Sequence, residues 1–284
     1  MGVTSLETAL RRLPKVELHV HLEGGFTPER IEELAAEAGE KMPRDGGSIL
    51  SCASLPELLA RLDWWCGLVR TAEQAERQAY DFARRLGADG VAYAEVIVNP
   101  THWTGLGREA LLEAVSAGFG RAAAEGGGRT EGAGRTGGAG WPAADCWLLV
   151  SLLRTQSGEE AQALVRELER RPPARLVGLS IDGNEAQAGP TGRRFAPAFA
   201  EAAALGLGCT AHAGESSGPE GVVSALDDLG VSRVDHGIRA VEDPSVVRRL
   251  AEEGVTLDVC LTSNVALLYG DIEVHPVREL VGAG

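Results

Sequence analysis

The sequence predicts a TIM-type (β/α) barrel, and three observations lead to this fold class. Short apolar, β-branched segments alternate with helical patterns, which is typical of a parallel sheet with helical crossovers. The 284 residues suit one barrel with one core. Histidine-rich motifs stand where the segments end, on the side of a barrel that carries active sites. We expect a single domain over residues 1–284.

The strand and helix segments can be placed by composition and period. The predicted strands are 16–21, 91–98, 147–153, 176–181, 207–212, 233–236 and 255–261. The predicted helices are 28–38, 55–69, 159–171, 194–205, 220–229 and 244–253. The helix at 55–69 lies in the longest interval, so we expect residues 40–70 to form a helical cover over the barrel mouth.

Two further segments affect the predicted architecture. Residues 125–140 contain eight glycines and a repeated Gly-Arg-Thr, which predicts a flexible surface insertion. A phosphate-binding loop is disfavoured because the Gly-Lys-Ser/Thr ending is missing. The sequence reaches Gly284 without an eighth strand. Since seven strands would leave two exposed edges, we expect a barrel truncated before its eighth strand.

Charge and composition exclude several classes of protein. The net charge is −14, from 27 Lys and Arg against 41 Asp and Glu, which disfavours binding to nucleic acid. No apolar run approaches the ~20 residues that span a bilayer, and no signal peptide is evident, so we expect a cytoplasmic protein without membrane contact. The five cysteines form no C-x-x-C pair; we expect Cys209 and Cys260 to be buried and unreactive. The sequence does not indicate an oligomeric state.

The first strand carries an alternating pattern, Val-Glu-Leu-His-Val-His-Leu-Glu from Val16. Its polar members Glu17, His19, His21 and Glu23 share one face. The outer face of a barrel packs on helices and is apolar, so the polar face points inward. Two imidazoles two residues apart can therefore bind one ion, although histidines in a wet barrel interior are the alternative.

A third imidazole follows from Thr-Ala-His-Ala-Gly-Glu, in which His212 ends a strand and Glu215 comes three residues later. Three neutral imidazoles suit a catalytic zinc with an open position for water. Burial can raise the pKa of a carboxyl group such as Glu215 and make it a proton donor. A helix N-terminal carboxylate is the alternative role for Glu215.

The remaining histidines differ in context. His236 ends the sixth strand beside Asp235, which should face the opposite way. His236 can deprotonate a water or act as a fourth, weaker metal ligand. His102 in Pro-Thr-His-Trp and His275 before Pro276 have the contexts of surface or capping residues.

Five motifs together resemble the adenosine deaminase family of metal-dependent hydrolases. They are Pro-Lys-Val-Glu-Leu-His-Val-His-Leu-Glu-Gly from Pro14, Gly-Val-Ala-Tyr-Ala-Glu-Val from Gly90, Gly-Leu-Ser-Ile-Asp-Gly-Asn-Glu from Gly178, Thr-Ala-His-Ala-Gly-Glu from Thr210 and Asp-His-Gly from Asp235. They follow the family order from residue 14 to about residue 280. Each motif is short, but the set is specific.

The resemblance implies roles for named residues. It implies that His19, His21 and His212 are ligands of one Zn²⁺ per chain. Glu215 then corresponds to the proton donor and His236 to the residue that orients or deprotonates the attacking water. The implied reaction is hydrolytic deamination of adenosine, or of a related aminopurine nucleoside, at C6.

The resemblance also implies substrate contacts for His21, Glu23 and Gly183, with three departures. The family's paired aspartates of the last strand have no counterpart before Gly284. Glu23 stands where adenosine-type members usually carry an aspartate, whereas relatives acting on adenine or on modified nucleosides carry glutamate. Ser180 stands where an aspartate is frequent, while Gly183 keeps the glycine that approaches the purine.

Three other functions remain open from the sequence. The substrate can be adenine or a modified adenosine of the aminodeoxyfutalosine type. A two-metal amidohydrolase acting on a cyclic amide is disfavoured, because no predicted strand contains the lysine that often bridges two metals. A truncated barrel can also persist as a catalytically impaired or binding protein.

Overall fold

Seven parallel strands form the centre of the molecule, in a computed structural model that describes residues 10, 13–43, 52, 54–125, 143–189 and 192–284. Each strand pairs with the next in chain order, which is the order of an α/β barrel wall. The strands are β1 Lys15–His21, β2 Val91–Val98, β3 Asp145–Leu153, β4 Leu176–Asp182, β5 Gly208–Ala213, β6 Arg233–His236 and β7 Thr256–Asp258. The predicted fold class is confirmed.

Helices connect the strands. They are α1 Pro28–Ala38, α2 Leu55–Gly67, α3 Ala72–Ala88, α4 Arg108–Glu125, α5 Gly158–Arg170, α6 Glu185–Ala188, α7 Gly192–Ala204, α8 Pro219–Asp227, α9 Pro244–Glu253, α10 Leu261–Asn264 and α11 Val277–Ala283. Short 3-10 turns lie at Glu23–Gly25, Pro100–His102, Ile238–Glu242 and Ile272–Val274, and a π-turn lies at Val265–Tyr269.

Two long helices, α3 and α4, were not predicted. The start of α3 carries a capping box, in which the Thr71 side chain accepts from the Gln74 backbone and the Gln74 side chain accepts in return. This S/T-x-x-E/Q signal marks a helix start and was available in the sequence. Because α4 has little amphipathic contrast and is buried along much of its length, its periodicity was harder to recognise.

The seventh predicted strand, 255–261, is wrong in length. The observed strand ends at Asp258, and the chain turns into α10 at Leu261. The backbone carbonyl of Asp258 lies 2.9 Å from Nδ1 of His19, so this part of the chain contacts the first strand's side chain. The apolar composition of residues 255–261 predicted a longer strand because it contains no signal for the turn that follows Asp258.

Three other expectations concern the periphery. The predicted Gly-rich insertion at 125–140 lies, apart from Glu125, outside the described residues, and the single domain over 1–284 stays a prediction. Val16, on the expected apolar face of β1, is 58% exposed, whereas Leu22 on that face is fully buried. No helix in the described part of the chain is long and apolar enough to cross a membrane.

The contact between α3 and α4 gives a test of the fold. A methyl group on Gly118 would lie 2.3 Å from the Glu76 carbonyl oxygen and 2.9 Å from Cβ of Ala79. We predict that Gly118→Ala lowers the free energy of unfolding by about 1–3 kcal/mol, because overpacking outweighs the gain in helix propensity. Urea unfolding measures this loss.

Gly120 is the matched control on the same helix, because the nearest atom to an added methyl would be 3.9 Å away. Gly120→Ala should leave stability unchanged or raise it by up to about 1 kcal/mol. Equal effects of the two substitutions would contradict the close approach of α3 and α4.

Candidate metal centre and active site

Three imidazole nitrogens converge at the carboxyl ends of the strands. Nε2 of His19 and Nε2 of His21 each lie 3.0 Å from Nε2 of His212. Alternation along β1 brings the first two histidines to the same face, and β5 supplies the third. Zinc–nitrogen bonds of 2.0–2.1 Å place tetrahedral ligand atoms roughly 3.3 Å apart. The spacing and chemistry of these donors therefore fit a zinc ion.

Each of the three imidazoles has an oxygen near its second ring nitrogen. Nδ1 of His19 lies 2.9 Å from the Asp258 carbonyl oxygen, and Nδ1 of His212 lies 3.2 Å from Oδ2 of Asp235. Nδ1 of His21 lies 3.9 Å from Oδ2 of Asp182. The two nearer acceptors favour a proton on Nδ1 and a free lone pair on Nε2 of His19 and His212. At 3.9 Å, Asp182 is beyond hydrogen-bond distance of His21. The contacts at Nδ1 thus orient the rings of His19 and His212 so that their Nε2 atoms point to the same place.

Asp235 is buried against this cluster, although strand alternation placed it on the opposite face from His236. Its carboxylate accepts hydrogen bonds from Thr210 Oγ1 at 2.8 Å and Ser180 Oγ at 3.3 Å. Burial alone raises a carboxyl pKa, but His19, His212 and Thr210 outweigh it and hold the pKa of Asp235 well below its usual range.

The backbone explains why both neighbours reach the cluster. His236 has φ of +71°, a left-handed conformation that non-glycine residues seldom adopt. This turn brings its ring back toward the centre, with ring centroids 4.7 Å from His19 and 5.3 Å from His212. The expectation that only His236 faces the site was therefore wrong. A period-two pattern cannot show this departure.

Glu215 and His236 lie together beside the three histidines. Oε1 of Glu215 is 3.4 Å from Nε2 of His236, and both side chains are buried. Burial raises the pKa of Glu215 and lowers that of His236 well below its usual value, so the pair favours a protonated acid and a neutral imidazole. Potential ligand atoms of His19, His212 and His236 lie within 4.8 Å of one another, a group that does not include His21, so His236 is placed to act as a ligand as well as a base.

The loop that carries Glu215 is held by a carboxylate that the sequence analysis did not identify. Buried Glu185 accepts hydrogen bonds from the backbone N–H groups of Gly214, Glu215, Ser216 and Ser217 at 2.9–3.3 Å. Helix α8 begins only at Pro219, so Glu215 is not in its first turn. Glu185 therefore fixes the backbone that positions Glu215.

A cavity of about 330 Å³ opens above the histidine cluster. Its volume lies near the lower end for small-molecule sites. Gly183, which has φ of +101°, lines it. The apolar side consists largely of the cover helix α2 and two residues opposite, namely Leu55, Leu58, Leu59, Leu62, Phe82 and Leu267. Four leucines of α2 therefore line this cavity, and the helical cover over residues 40–70 stays a prediction.

The polar side of the cavity includes Glu23. Its Oε1 accepts hydrogen bonds from the Asn99 backbone at 2.7 Å and from Trp103 Nε1 at 2.8 Å. Its Oε2 is buried and has no hydrogen-bond partner among the described residues. Burial raises the pKa of Glu23 to about 7. Asp182 continues this wall toward His21, through a 2.5 Å contact from the Asn99 side chain.

Three expectations about other side chains need correction. His102 is buried and lines the cavity, because the 3-10 turn after β2 directs it inward. His275 is also buried, although its Nδ1 accepts from the Val277 backbone as a cap. Cys260 is only partly buried and lies 3.4 Å from Nδ1 of His19, because the short β7 ends before it, and Cys209 is also only partly buried.

A parallel barrel with a histidine cluster at its carboxyl end defines the class of metal-dependent hydrolases. Residues 14–284 match the Adenosine deaminase family, and the chain belongs to that family. It is 37% identical to an adenine deaminase of Cupriavidus metallidurans over 289 aligned positions, covering 99% of this chain and 76% of the relative. The family supports hydrolysis of a purine amine at C6.

Three further proteins are similar to this chain. The chain is 32% identical to an aminodeoxyfutalosine deaminase of Streptomyces coelicolor, covering 98% of this chain and 70% of the relative. An adenine deaminase structure from Arthrobacter aurescens has a TM-score of 0.83 at 28% identity, and the match covers 95% of this chain and 79% of that structure. An amidohydrolase structure from Burkholderia ambifaria with bound Zn has a TM-score of 0.82 at 28% identity, and the match covers 100% of this chain and 76% of that structure.

The contact between Asp235 and His212 gives a test of the metal centre. We predict that Asp235→Asn weakens zinc binding by about 10–100-fold, because the carboxylate no longer orients His212 and raises its basicity. Competition with a chromogenic chelator measures the affinity. Asp145→Asn, at the start of β3 and away from the cluster, is the control. Equal affinities of the two variants would contradict the role of Asp235.

Proposed function

We propose that this protein is a zinc-dependent deaminase that converts adenine and water to hypoxanthine and ammonia. The convergence of three Nε2 atoms beside Glu215 and His236 carries this proposal. Adenine is better supported than the adenosine expected from the sequence, because the 37% and 28% identical relatives described above are adenine deaminases.

His19, His21 and His212 would hold one Zn²⁺ per chain. When bound, zinc lowers the pKa of a coordinated water from ~15.7 to roughly 7 and so supplies a nucleophile at neutral pH. The role of the three histidines would be to direct their Nε2 lone pairs to one point. The Asp258 carbonyl lies at Nδ1 of His19, Asp235 lies 3.2 Å from Nδ1 of His212, and Asp182 lies 3.9 Å from Nδ1 of His21.

Glu215 and His236 would move the protons of the reaction. Burial raises the pKa of Glu215, which favours its protonated form, and Glu215 would donate that proton to N1 of the purine as C6 becomes tetrahedral. His236, 3.4 Å from Glu215, takes the proton of the attacking water. His236 would then pass that proton to the amine, which leaves as ammonia, and the remaining hydroxyl proton would go to Glu215 as the C6 carbonyl forms. The apolar side chains of α2 would keep bulk water from the site.

Glu23 offers a physical reason for preferring the free base. When C6 faces Glu215, the N3 and N9 edge of the purine points to the opposite end of the cavity. The unpartnered Oε2 of Glu23 can accept the N9–H of adenine, whereas adenosine carries ribose on that nitrogen. A buried polar atom without a protein partner commonly indicates a missing partner, and the cavity is small.

The relative that acts on aminodeoxyfutalosine supplies a second candidate substrate. That substrate differs from adenine in carrying a substituent at N9. Comparing turnover of adenine with turnover of N9-substituted adenines therefore separates the two candidate substrates. A two-metal amidohydrolase would require two zinc ions per chain. The cytoplasmic location stays a prediction.

Replacement of the proton donor tests the chemistry. We predict that Glu215→Gln lowers kcat for adenine by about 10²–10⁴-fold while zinc content stays at one per chain, because the amide cannot donate an acid proton. Ammonia release and metal analysis measure both. As a control, Glu159→Gln on α5 should retain wild-type kcat. Near wild-type turnover by Glu215→Gln would contradict the assignment.

Replacement of Glu23 tests the substrate. Glu23→Gln keeps an oxygen for the Asn99 and Trp103 donors but presents an amide where Oε2 stood. We predict that KM for adenine rises about tenfold or more, because a hydrogen bond to a charged group is lost, while the weaker use of adenosine changes little. Steady-state kinetics on both substrates measure the ratio. A parallel loss on both would show that Glu23 does not select the base.

A further inference from the structure

Two tryptophan indoles hold Glu23, the residue that would contact the substrate at N9. Nε1 of Trp103 donates to Oε1 of Glu23 at 2.8 Å, and Nε1 of Trp65 donates to the Glu23 backbone carbonyl at 2.8 Å. Glu23, Trp65 and Trp103 are each only 1% exposed. Trp65 has no part in the steps proposed above, so the function of its hydrogen bond is open.

The Trp65 bond joins two elements that are distant in sequence. Glu23 begins the 3-10 turn Glu23–Gly25 after β1, and Trp65 lies near the end of helix α2. If the Glu23 carbonyl turned away, two buried groups would be left unpaired, which costs about 1–3 kcal/mol for each group. The indole N–H therefore fixes the peptide unit that follows Glu23.

A second side chain holds the other end of the same turn. The guanidinium of Arg85, on helix α3, donates to the backbone carbonyl of Gly25. The backbone N–H of Gly25 donates to the Leu22 carbonyl at 2.9 Å. The turn that carries Glu23 is thus bonded to α2 at its first residue and to α3 at its last.

Helix α2 also contacts the segment that carries the second tryptophan. Oδ1 of Asp63 lies 2.6 Å from Nδ1 of His102, the residue before Trp103. The Asp63 carboxylate is 61% exposed, and exposed ion pairs contribute little. The buried bond from Trp65 is therefore the stronger of the two links between α2 and the surroundings of Glu23.

These contacts leave one carboxylate oxygen of Glu23 without a protein partner. Oε1 accepts from the Asn99 backbone at 2.7 Å and from Trp103, which fixes the plane of the carboxylate. Oε2 has no hydrogen-bond partner among the described residues, and Glu23 lines the cavity. Trp65 fixes the backbone from which this side chain starts, so Oε2 is held in one position.

We propose that Trp65 is a positioning residue for Glu23, whose hydrogen bond to the Glu23 carbonyl keeps Oε2 where the N9–H of the free base would meet it. This inference rests on the proposed function, which assigns Glu23 to substrate binding. Preorganisation of this kind reduces the ordering cost of binding. Loss of the Trp65 N–H therefore weakens adenine binding and leaves the chemistry at C6 largely unchanged.

Replacement of Trp65 by β-(3-benzothienyl)alanine tests the hydrogen bond without removing the ring, because sulfur replaces the indole N–H at nearly the same volume. KM for adenine should rise about threefold to tenfold, the effect of one hydrogen bond, while kcat changes by less than about twofold. The same replacement of Trp64, the neighbour on α2 that is only partly buried, is the control and should leave both constants unchanged.

The dependence on Glu23 separates positioning from packing. In the Glu23→Gln background, the replacement of Trp65 should add little to KM for adenine, because coupled residues are not additive. Use of adenosine, which has no N9–H, should change little in either background. A parallel rise of KM for adenine and adenosine, or a fully additive effect with Glu23→Gln, would overturn the positioning role.

The indole N–H resonances of the five tryptophans give a test that needs no substrate. Replacement of Trp65 should shift the Trp103 resonance, because the acceptor Oε1 of Glu23 moves, whereas replacement of Trp64 should not. The retained ring keeps ring-current changes small. An unchanged Trp103 resonance in the folded Trp65 variant would overturn the inference. A shifted Trp103 resonance in a protein that releases no ammonia from adenine would contradict the proposed function instead.

Discussion

The structure depends on the meeting of three imidazole lone pairs at one buried point. Nε2 of His212 lies 3.0 Å from Nε2 of His19 and 3.0 Å from Nε2 of His21, a spacing at which neutral lone pairs repel unless a cation or a proton lies between them. Burial makes any unpaired arrangement costly. A zinc ion would satisfy all three donors at once, and the neighbouring strand ends hold the three imidazoles in place for it.

That support comes from almost every strand end. Two of the proposed ligands come from β1 and the third from β5, while Asp235 comes from β6, Asp182 from β4 and the Asp258 carbonyl from β7. Arg154, after β3, donates to the carbonyl of His212. Parallel strands make this possible because all their carboxyl ends meet at one rim. The histidine end of the cavity is therefore built from strand ends, whereas its apolar wall is built largely from the cover helix α2.

Much of the fold and of the histidine cluster could be predicted from the local sequence pattern. The remaining site residues depend on backbone turns and on contacts between residues distant in sequence. The period of two in β1 places His19 and His21 on one face, and strand endings locate His212 and Glu215 near them. The left-handed backbone of His236 breaks the period of two, so that Asp235 and His236 both lie beside the histidine cluster. Glu185 begins the four-residue helix α6 and His102 lies in a 3-10 turn, and both elements are too short for periodicity to indicate which way a side chain points. Their partners, the loop at 214–217 and Asp63, are distant in sequence.

The central claim is that three histidine nitrogens hold one zinc ion. Zinc K-edge X-ray absorption on the purified protein tests it most directly, because it reports the atoms bonded to the metal. The account predicts nitrogen and oxygen neighbours at about 2.0–2.1 Å with outer-shell scattering from three imidazoles and one zinc per chain. A sulfur neighbour at about 2.3 Å, which Cys260 beside His19 could supply, or a protein that binds no zinc, would contradict it.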